Sequence, residues 1–431
     1  MRAARHCHGQ YPFTLPRMSV RATLVLALLL LGSAGCGRKG VLAPSVATTQ
    51  ANRSTDPFHR DDADGAAMHV EGRARSGALW VLDKPAAWNR SLIVYLHGYT
   101  NPSEPIALPR NGVIRDSLLA RGYAVAASSF SSNGFAVPEG VRESDALREI
   151  FEEHVGHPRR TYLFGQSLGG LIGLLLTQQH ARPFDGSFLV SGIVGGSAAE
   201  VQYISDIRVL FDTVYPGVLP GDLEHSTPIT DPNVQIVGPV VRAVTANPQG
   251  LGIIQSLARE KLPGNNANEL VASLVNVIGF TMQGGSDLFA RTGSTSFFDN
   301  ATWTYHSAAL PPALVADINA RVRRYTRAPE AALFLAQYGE PSPTLRIPLM
   351  TLHTSRDPVV PATHEDRLAQ VITSPLLIQR RVDRYGHATF SAGELMVHFN
   401  DLVLFADARE RGHGHEHEDE LMAGGTGALR R

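Results

Sequence analysis

Ser167 lies in the segment Gly-Gln-Ser-Leu-Gly, a pattern in which a serine hydroxyl can act as a nucleophile. Residues 160–164 form a β-branched and aromatic run typical of a buried strand. Residues 171–180 form an apolar run that is too long for a strand and typical of a buried helix. A sharp turn between the two exposes the serine, and the flanking glycines allow it without Cβ clashes. The pattern predicts a catalytic nucleophile; the alternative is a Gly-rich turn that only packs a helix against a sheet.

A serine nucleophile needs a base and an acid that orients the base, and the chain carries candidates for both. Asp357 follows a predicted apolar strand, and His387 follows the next predicted strand along the chain. His387 is predicted to take the proton from Ser167 and return it to the leaving group, while Asp357 holds the imidazole tautomer. A loop-capping aspartate and a surface histidine are the alternatives. Asp383 is the nearest rival acid, but it lies only four residues before His387.

The same chemistry requires backbone amides that stabilise the negative charge on the attacked carbonyl oxygen. Residues 91–96 are predicted to form a strand, which is followed by His97 and Gly98. A His-Gly pair at this point lets the next backbone N–H turn toward the nucleophile. We therefore expect the amides of Tyr99 and Leu168 to form the oxyanion site. His97 is expected to be a structural hydrogen-bonding residue rather than a second base.

Four segments occur in this order, each at the end of a predicted strand: HGYT, GQSLGG, TSRDPVVP and YGHATF. Together they resemble the α/β-hydrolase superfamily, and the likeness covers residues 79–408. Residues 128–134, which precede a predicted acidic helix over 137–154, are similar to those of secreted, esterase-like members. The resemblance implies a mostly parallel sheet flanked by helices. It also implies hydrolysis of an ester, or less often an amide, through an acyl-enzyme with no metal or organic cofactor.

The predicted catalytic core is interrupted by a long insertion. Residues 68–196 and 344–408 form the expected core, with an antiparallel strand pair over 68–82. Residues 197–343 contain apolar stretches of helical length, which predicts a helical cap over Ser167. This cap is rich in Val, Leu and Ile and poor in Lys, which favours an ester substrate with an apolar acyl or aromatic group. The candidate lining residues are aromatic: Phe280, Phe289, Phe297, Phe298 and Trp303.

Residues 1–35 have the pattern of a secretory signal peptide, with positive charge, a short apolar run and small residues. The run ends at Cys36 and resembles a bacterial lipoprotein signal, in which Cys36 becomes lipidated, although Ser33 stands where the family favours Leu. These features predict export to the bacterial cell envelope, in the outer membrane or periplasm, with residues 36–67 as a tether to the membrane. Secretion as a soluble protein is the alternative. Met18 is a second candidate for the start of translation.

The composition and charge of the chain bear on three kinds of interaction: with nucleic acid, with metal ions and between cysteines. The formal net charge is −1, so no nucleic-acid partner is expected. The two cysteines predict no structural disulfide, and no metal-spaced cysteine cluster occurs in the sequence. Residues 409–431 carry His413, His415 and His417 among acidic residues. A solvated tail is expected there, with weak transition-metal binding as the alternative.

Two functions other than an esterase stay open. One is a serine peptidase or amidase of the prolyl-oligopeptidase type, which shares the core. Such proteins carry an amino-terminal propeller, and the residues before the core here are too few to build one. The other is a non-catalytic lipoprotein that uses the hydrolase fold as a binding scaffold. The presence of Ser167, Asp357 and His387 together favours the esterase.

Overall fold

The computed structural model describes residues 66–179 and 183–424, with side chains described as far as Glu410. These residues contain one sheet, the helices that flank it and a helical insertion. The predicted signal peptide, Cys36 and nearly all of the predicted tether lie outside the described residues.

Eight strands form the sheet: β1 (Met68–Arg73), β2 (Leu79–Lys84), β3 (Ser91–Leu96), β4 (Ala124–Ser128), β5 (Arg160–Gln166), β6 (Gly186–Val190), β7 (Leu349–Arg356) and β8 (Leu377–Tyr385). Their order across the sheet is β1-β2-β4-β3-β5-β6-β7-β8. The β1–β2 and β2–β4 pairs are antiparallel, and the other neighbouring pairs are parallel. The carboxyl ends of β3 to β8 therefore lie at one edge of the sheet, where the residues that follow these strands can meet.

The described α-helices are, in chain order, α1 (Gly112–Leu119), α2 (Val137–Asp145), α3 (Leu147–His154), α4 (Leu168–Gln179), α5 (Ser197–Val214), α6 (Gly238–Ala246), α7 (Pro248–Leu257), α8 (Ala267–Arg291), α9 (Pro312–Arg321), α10 (Pro329–Gln337), α11 (Thr363–Val371) and α12 (Ala392–Gly424). Strands β4, β5 and β6 are buried and mostly apolar, as expected for the centre of a sheet covered by helices. Phe164 of β5 and Phe188 of β6 pack edge to face at 5.0 Å, and Phe399 of α12 completes this part of the core.

The α5 to α10 helices, together with a π-turn over Asn233–Val237, lie between β6 and β7, which confirms the predicted helical insertion. The apolar stretch over 312–338 does not form one continuous helix. The chain forms two helices there, because Pro329 at the start of α10 disfavours a helical conformation at Ala328, which is extended. The apolar run over 186–195 is a strand only as far as Val190, because the next residue, Ser191, adopts a left-handed φ of 46°.

The carboxyl-terminal helix α12 begins at Ala392 and continues to Gly424, well past residue 408, at which the predicted core ends. Most of the predicted tail therefore has a helical backbone. The residues that attach this helix to the sheet, among them Phe399 and Leu402, lie near its start. None of the helices in the described ranges has the length and apolar content needed to cross a bilayer.

Candidate active site

Ser167 occupies the turn between β5 and α4 with a left-handed φ of 57°, a conformation that costs a residue with a side chain roughly 1–3 kcal/mol. The Ser167 N–H donates to the carbonyl oxygen of Val190 at 3.0 Å, which holds the turn against β6. A Cβ at Gly165 would lie 2.3 Å from the Gly169 oxygen, and one at Gly169 would lie 2.0 Å from the Leu96 oxygen. The two glycines are therefore required for the close approach of strand and helix that presents the serine.

Asp357 and His387 meet at the same edge of the sheet, after β7 and β8. The His387 Nδ1 lies 2.8 Å from Asp357 Oδ2 and 3.0 Å from Oδ1. Asp357 is fully buried and also accepts hydrogen bonds from the N–H groups of Val359 and Val360, at 2.9 and 3.0 Å. A proton on Nδ1 that is donated to the carboxylate leaves Nε2 of His387 free to accept one. The pair thus has the arrangement of a general base and its orienting acid.

The electrostatics of this pair favour a charged carboxylate. Burial raises the pKa of Asp357, but the charge and hydrogen bond of His387 and the charge of His353 outweigh burial. The pKa of Asp357 therefore lies below its usual value, and the carboxylate is ionised at neutral pH.

The loop that carries His387 is fixed by hydrogen bonds on both sides of the histidine. Gly386 adopts a φ of 119°, and its N–H donates to the Arg356 carbonyl at 3.0 Å, while its own carbonyl accepts from the Thr354 hydroxyl at 2.6 Å. On the other side of the histidine, the Ala388 N–H donates to Ser191 Oγ at 3.1 Å. These bonds hold the loop to β7 and to the residue that follows β6.

Asp383, the rival acid, does not face His387. Its side chain is 85% exposed, accepts a hydrogen bond from Ser355 Oγ at 2.9 Å and forms an ion pair with Arg356. β8 continues to Tyr385, so Asp383 lies within the strand rather than in the loop that follows it. The structure brings Asp357, and not Asp383, into contact with the imidazole.

The segment after β3 lies directly against the serine. A Cβ at Gly98 would lie 3.2 Å from Ser167 Cβ and 3.7 Å from Ser167 Oγ. Tyr99 and Leu168 line the same cavity as Ser167. Leu168 is the first residue of α4, so its N–H has no acceptor within the helix. The two residues whose amides are expected to form the oxyanion site thus both lie beside the serine.

His97 has a structural environment in this segment. Its Nδ1 donates to the Gly98 carbonyl at 2.7 Å, and its ring stacks on Phe130 at 4.0 Å. Burial lowers the pKa of His97, so the ring is neutral at pH 7.

A buried ion pair lies behind Asp357 and was not anticipated from the sequence. The His353 Nε2 donates to the Val360 carbonyl at 2.9 Å and lies 3.6 Å from Asp357 Oδ2. The Nδ1 of the same ring lies 3.3 Å from Glu365 Oε1. Burial lowers the pKa of His353, but Glu365 and Asp357 outweigh burial and raise it above its usual value. The two carboxylates on either side of His353 therefore favour its protonated form.

Glu365 is held by further hydrogen bonds. Its Oε2 accepts from Thr351 Oγ1 at 2.5 Å and from Gln379 Nε2 at 2.6 Å. Burial raises the pKa of Glu365, but the bonds from His353, Thr351 and Gln379 outweigh burial and lower it. The pair links β7, β8 and α11 directly beneath the acid.

His353→Leu is expected to lower the free energy of unfolding by about 3–5 kcal/mol, because it leaves the Glu365 carboxylate buried without its cation. Urea denaturation of the purified protein measures this change. Asp366→Asn is the matched control. Asp366 lies next to Glu365 on α11, and its substitution removes an exposed ion pair with Arg381. This substitution should lower the free energy of unfolding by at most about 1 kcal/mol. Equal losses in the two variants would contradict a stabilising role for the buried pair.

A cavity opens beside Ser167, between the sheet edge and the insertion. Most of its lining is apolar, as a site for an apolar substrate group requires. The lining residues come from the core and from the insertion: Tyr99, Phe135, Ser167, Leu168, Ile193, Glu200, Val201, Ile204, Leu223, Phe280, Thr281, Gly284, Gly285, Leu288, Phe297, Val359 and Val360. Glu200 contributes the only carboxyl group to this described lining.

Two of the five aromatic residues expected in the lining, Phe280 and Phe297, are found there. The prediction is wrong for the other three, which do not line the cavity. Phe289 lies nine residues after Phe280 on α8, which places it on the opposite face of the helix, where it packs against His225. Phe298 is fully buried, and Trp303 is 39% exposed and stacks under Arg259 at 4.6 Å.

The insertion is tied to the core beside this cavity by charged residues of α8. Asp287 accepts a hydrogen bond from the N–H of Phe135, a lining residue, at 2.8 Å. Arg291 pairs with Asp287 at 3.0 Å and with Glu139 of α2 at 3.2 Å. Its guanidinium also donates to the Asn133 carbonyl at 2.8 Å. These bonds attach the long cap helix to the segment that follows β4.

The strand order, the strained serine between β5 and α4, and the Asp-His pair after β7 and β8 together define one architecture. The chain has the α/β-hydrolase fold. Within the described residues, no group of three or more His, Cys, Asp or Glu side chains is arranged to hold a metal ion.

No protein-family model matches the chain, and no curated protein sequence matches it. Among solved structures, the chain is similar to the mouse α/β-hydrolase domain-containing protein 10, at 13% identity and a TM-score of 0.38, over 78% of this chain and 98% of that one. The chain is also similar to a carboxyl esterase from Bacillus coagulans, at 14% identity and a TM-score of 0.36, over 78% of this chain and 99% of that one. A third similar structure is an epoxide hydrolase of the α/β-hydrolase superfamily from metagenomes of hot environments. Its identity is 12% and its TM-score 0.41, over 79% of this chain and 98% of that one.

Proposed function

We propose that the protein is a serine hydrolase that cleaves carboxylic esters through an acyl-enzyme. The observation that carries the proposal is the hydrogen-bonded pair of Asp357 and His387 at the sheet edge where a strained turn presents Ser167. Strain of this kind persists only where the surrounding structure supports it, and it occurs frequently at catalytic positions. The apolar cavity beside the serine supplies room for the substrate.

The proposed reaction has two halves. His387 Nε2 takes the proton of Ser167 as Oγ attacks the ester carbonyl, and Asp357 stabilises the imidazolium that forms. The amides of Tyr99 and Leu168 stabilise the oxyanion. The bond between carbonyl carbon and alkoxide oxygen then breaks, and the imidazolium protonates the departing alcohol. In the second half, His387 takes a proton from water as the water attacks the acyl carbonyl, and Ser167 leaves with that proton as the acid is released. No step needs a metal or an organic cofactor.

The cavity favours an ester with an apolar acyl or aromatic group over an anionic substrate. Its lining is almost entirely apolar and contains no Lys or Arg, so an anion would lose its hydration there without gaining a cationic partner. We test the reaction class with p-nitrophenyl esters of increasing chain length and the matching p-nitroanilides. Turnover of the esters with a pre-steady-state burst supports the esterase, whereas faster turnover of the anilides would favour an amidase. A folded protein that turns over neither class would contradict the proposed function.

We propose further that the protein is anchored in the bacterial cell envelope through a lipid on Cys36. The support is the signal-like sequence ahead of this cysteine. Cys36→Ser is expected to move the protein from the membrane fraction to the soluble fraction, because the lipid supplies the membrane affinity. Fractionation of cells that express the full chain measures this, with the natural sequence as control. If the variant stays with the membranes, a lipid on this cysteine is not the anchor.

A further inference from the structure

Glu200 is an acidic side chain in an apolar cavity. It lies in the first turn of α5 and is 7% exposed, and it lines the cavity together with Ser167 and Tyr99. Its neighbours in the lining are mainly apolar, among them Val201 and Phe280. A carboxyl group placed in such surroundings is costly unless it has polar partners. The proposed reaction makes no use of it.

The imidazole of His364 lies beside this carboxyl group without a hydrogen bond to it. The Gly195 N–H donates to His364 Nδ1 at 3.0 Å, so the hydrogen of the neutral imidazole lies on Nε2. This Nε2 lies 3.0 Å from Glu200 Oε2. Burial lowers the pKa of His364 to about 3, so the ring is neutral at ordinary pH. Within the described residues, no hydrogen bond to the Glu200 carboxyl group is found, and its Oε2 is buried without a partner. A carboxyl group that lines the cavity in this state can bond to a group that enters the cavity.

The surroundings also favour the protonated form of Glu200. Burial raises its pKa well above the usual value, and the negative charge of Asp357 raises it further. His387 and His353 act in the opposite direction but do not outweigh burial. A neutral carboxyl group carries one O–H donor, and buried carboxylic acids of this kind donate hydrogen bonds to substrates in other enzymes.

We propose that Glu200 determines specificity, donating a hydrogen bond from its carboxyl group to an oxygen acceptor on an otherwise apolar substrate. The substrate class is then an ester whose hydrocarbon body carries an ether, carbonyl or hydroxyl oxygen at one position. This inference rests on the proposed esterase function. A pure hydrocarbon group would leave the O–H without a partner in the complex, whereas an oxygen at the matching position satisfies it.

An oxygen scan of one substrate locates this position. The probes are p-nitrophenyl octanoate and its ethers, in which an oxygen replaces the methylene at the fourth, fifth, sixth or seventh carbon. In the natural protein, we expect one ether to have a kcat/KM about five- to tenfold above the mean of the other ethers. Glu200→Gln keeps an N–H donor and should keep this preference. Glu200→Leu has no donor and should reduce the ratio to about one.

Each other outcome overturns the inference. Equal kcat/KM values for all ethers in the natural protein contradict it without reference to any variant, and so does a preference that survives in Glu200→Leu. An ester with an ammonium group at the end of its acyl chain is a further probe. If the natural protein prefers this ester to the ethers and Glu200→Gln does not, then Glu200 acts as a negatively charged carboxylate and not as a donor. Labelling of Ser167 by a fluorophosphonate shows that each variant retains a folded site. Turnover of the parent octanoate ester tests the proposed function separately, and its absence would overturn that function and this inference together.

Discussion

Ser167→Ala is expected to lower kcat for ester hydrolysis by about a millionfold, because the substitution removes the atom that forms the acyl-enzyme. Proton transfer to His387 and stabilisation of the oxyanion act only on that attack, so their contributions are lost with it. The variant should keep its fold and its cavity, since only one hydroxyl is removed. The release of p-nitrophenol from a p-nitrophenyl ester measures the loss, and circular dichroism checks the fold.

Ser117→Ala is the matched control for this substitution. Ser117 lies on α1, and its hydroxyl donates to the Val113 carbonyl within the same helix at 2.7 Å. It does not line the cavity. Its removal should leave kcat within about twofold of the natural protein. A Ser167→Ala variant that retained more than about a hundredth of the activity would contradict the role of Ser167 as nucleophile.

Asp357→Asn is expected to lower kcat by about ten-thousandfold, with little change in the shape of the site. The carboxylate accepts the Nδ1 proton of His387, whereas an asparagine amide can donate to Nδ1 instead. The ring proton would then lie on Nε2, where the base must be free. The asparagine oxygen can still accept the N–H groups of Val359 and Val360, so the loop should be retained. Steady-state kinetics with a p-nitrophenyl ester measure the effect.

Asp383→Asn is the control for the choice of acid. The Asp383 side chain is exposed and binds Ser355 and Arg356 rather than His387, so kcat should change by less than about threefold. If this substitution reduces kcat more than Asp357→Asn does, the assignment of the acid is wrong.

The features that could be predicted from the sequence are those set by short local patterns. An apolar run followed by a polar loop indicates a strand end, and in a parallel sheet such ends share one edge. This is why residues as far apart as Ser167 and His387 could be placed together without a structure. The glycines around Ser167 indicated the turn for an equally local reason, the lack of a Cβ.

The ion pair of His353 and Glu365 could not be predicted, because it depends on how α11 packs beneath β7. Nothing in the sequence distinguishes these two residues from a polar position on a strand and an exposed acid in a first helical turn. Glu200 could not be identified from the sequence for a similar reason, because its proposed role depends on the apolar residues that surround it in the cavity.

The cap could be predicted as helical but not in its orientation. Apolar periodicity indicates that a face is buried, yet it does not say whether that face covers a cavity or packs on another helix. Phe280 and Phe289 lie on the same helix, and only Phe280 lines the cavity. Aromatic residues alone were therefore a poor guide to the substrate pocket.

Covalent labelling of the purified protein with a fluorophosphonate, followed by peptide mapping, tests the proposed mechanism most directly. We expect one phosphonyl group per chain, on Ser167, because this serine is the one activated by His387. Prior incubation with a p-nitrophenyl ester that is turned over should slow the labelling. A folded protein that takes no label, or that carries the label on another residue, would contradict the assignment of Ser167 as the nucleophile.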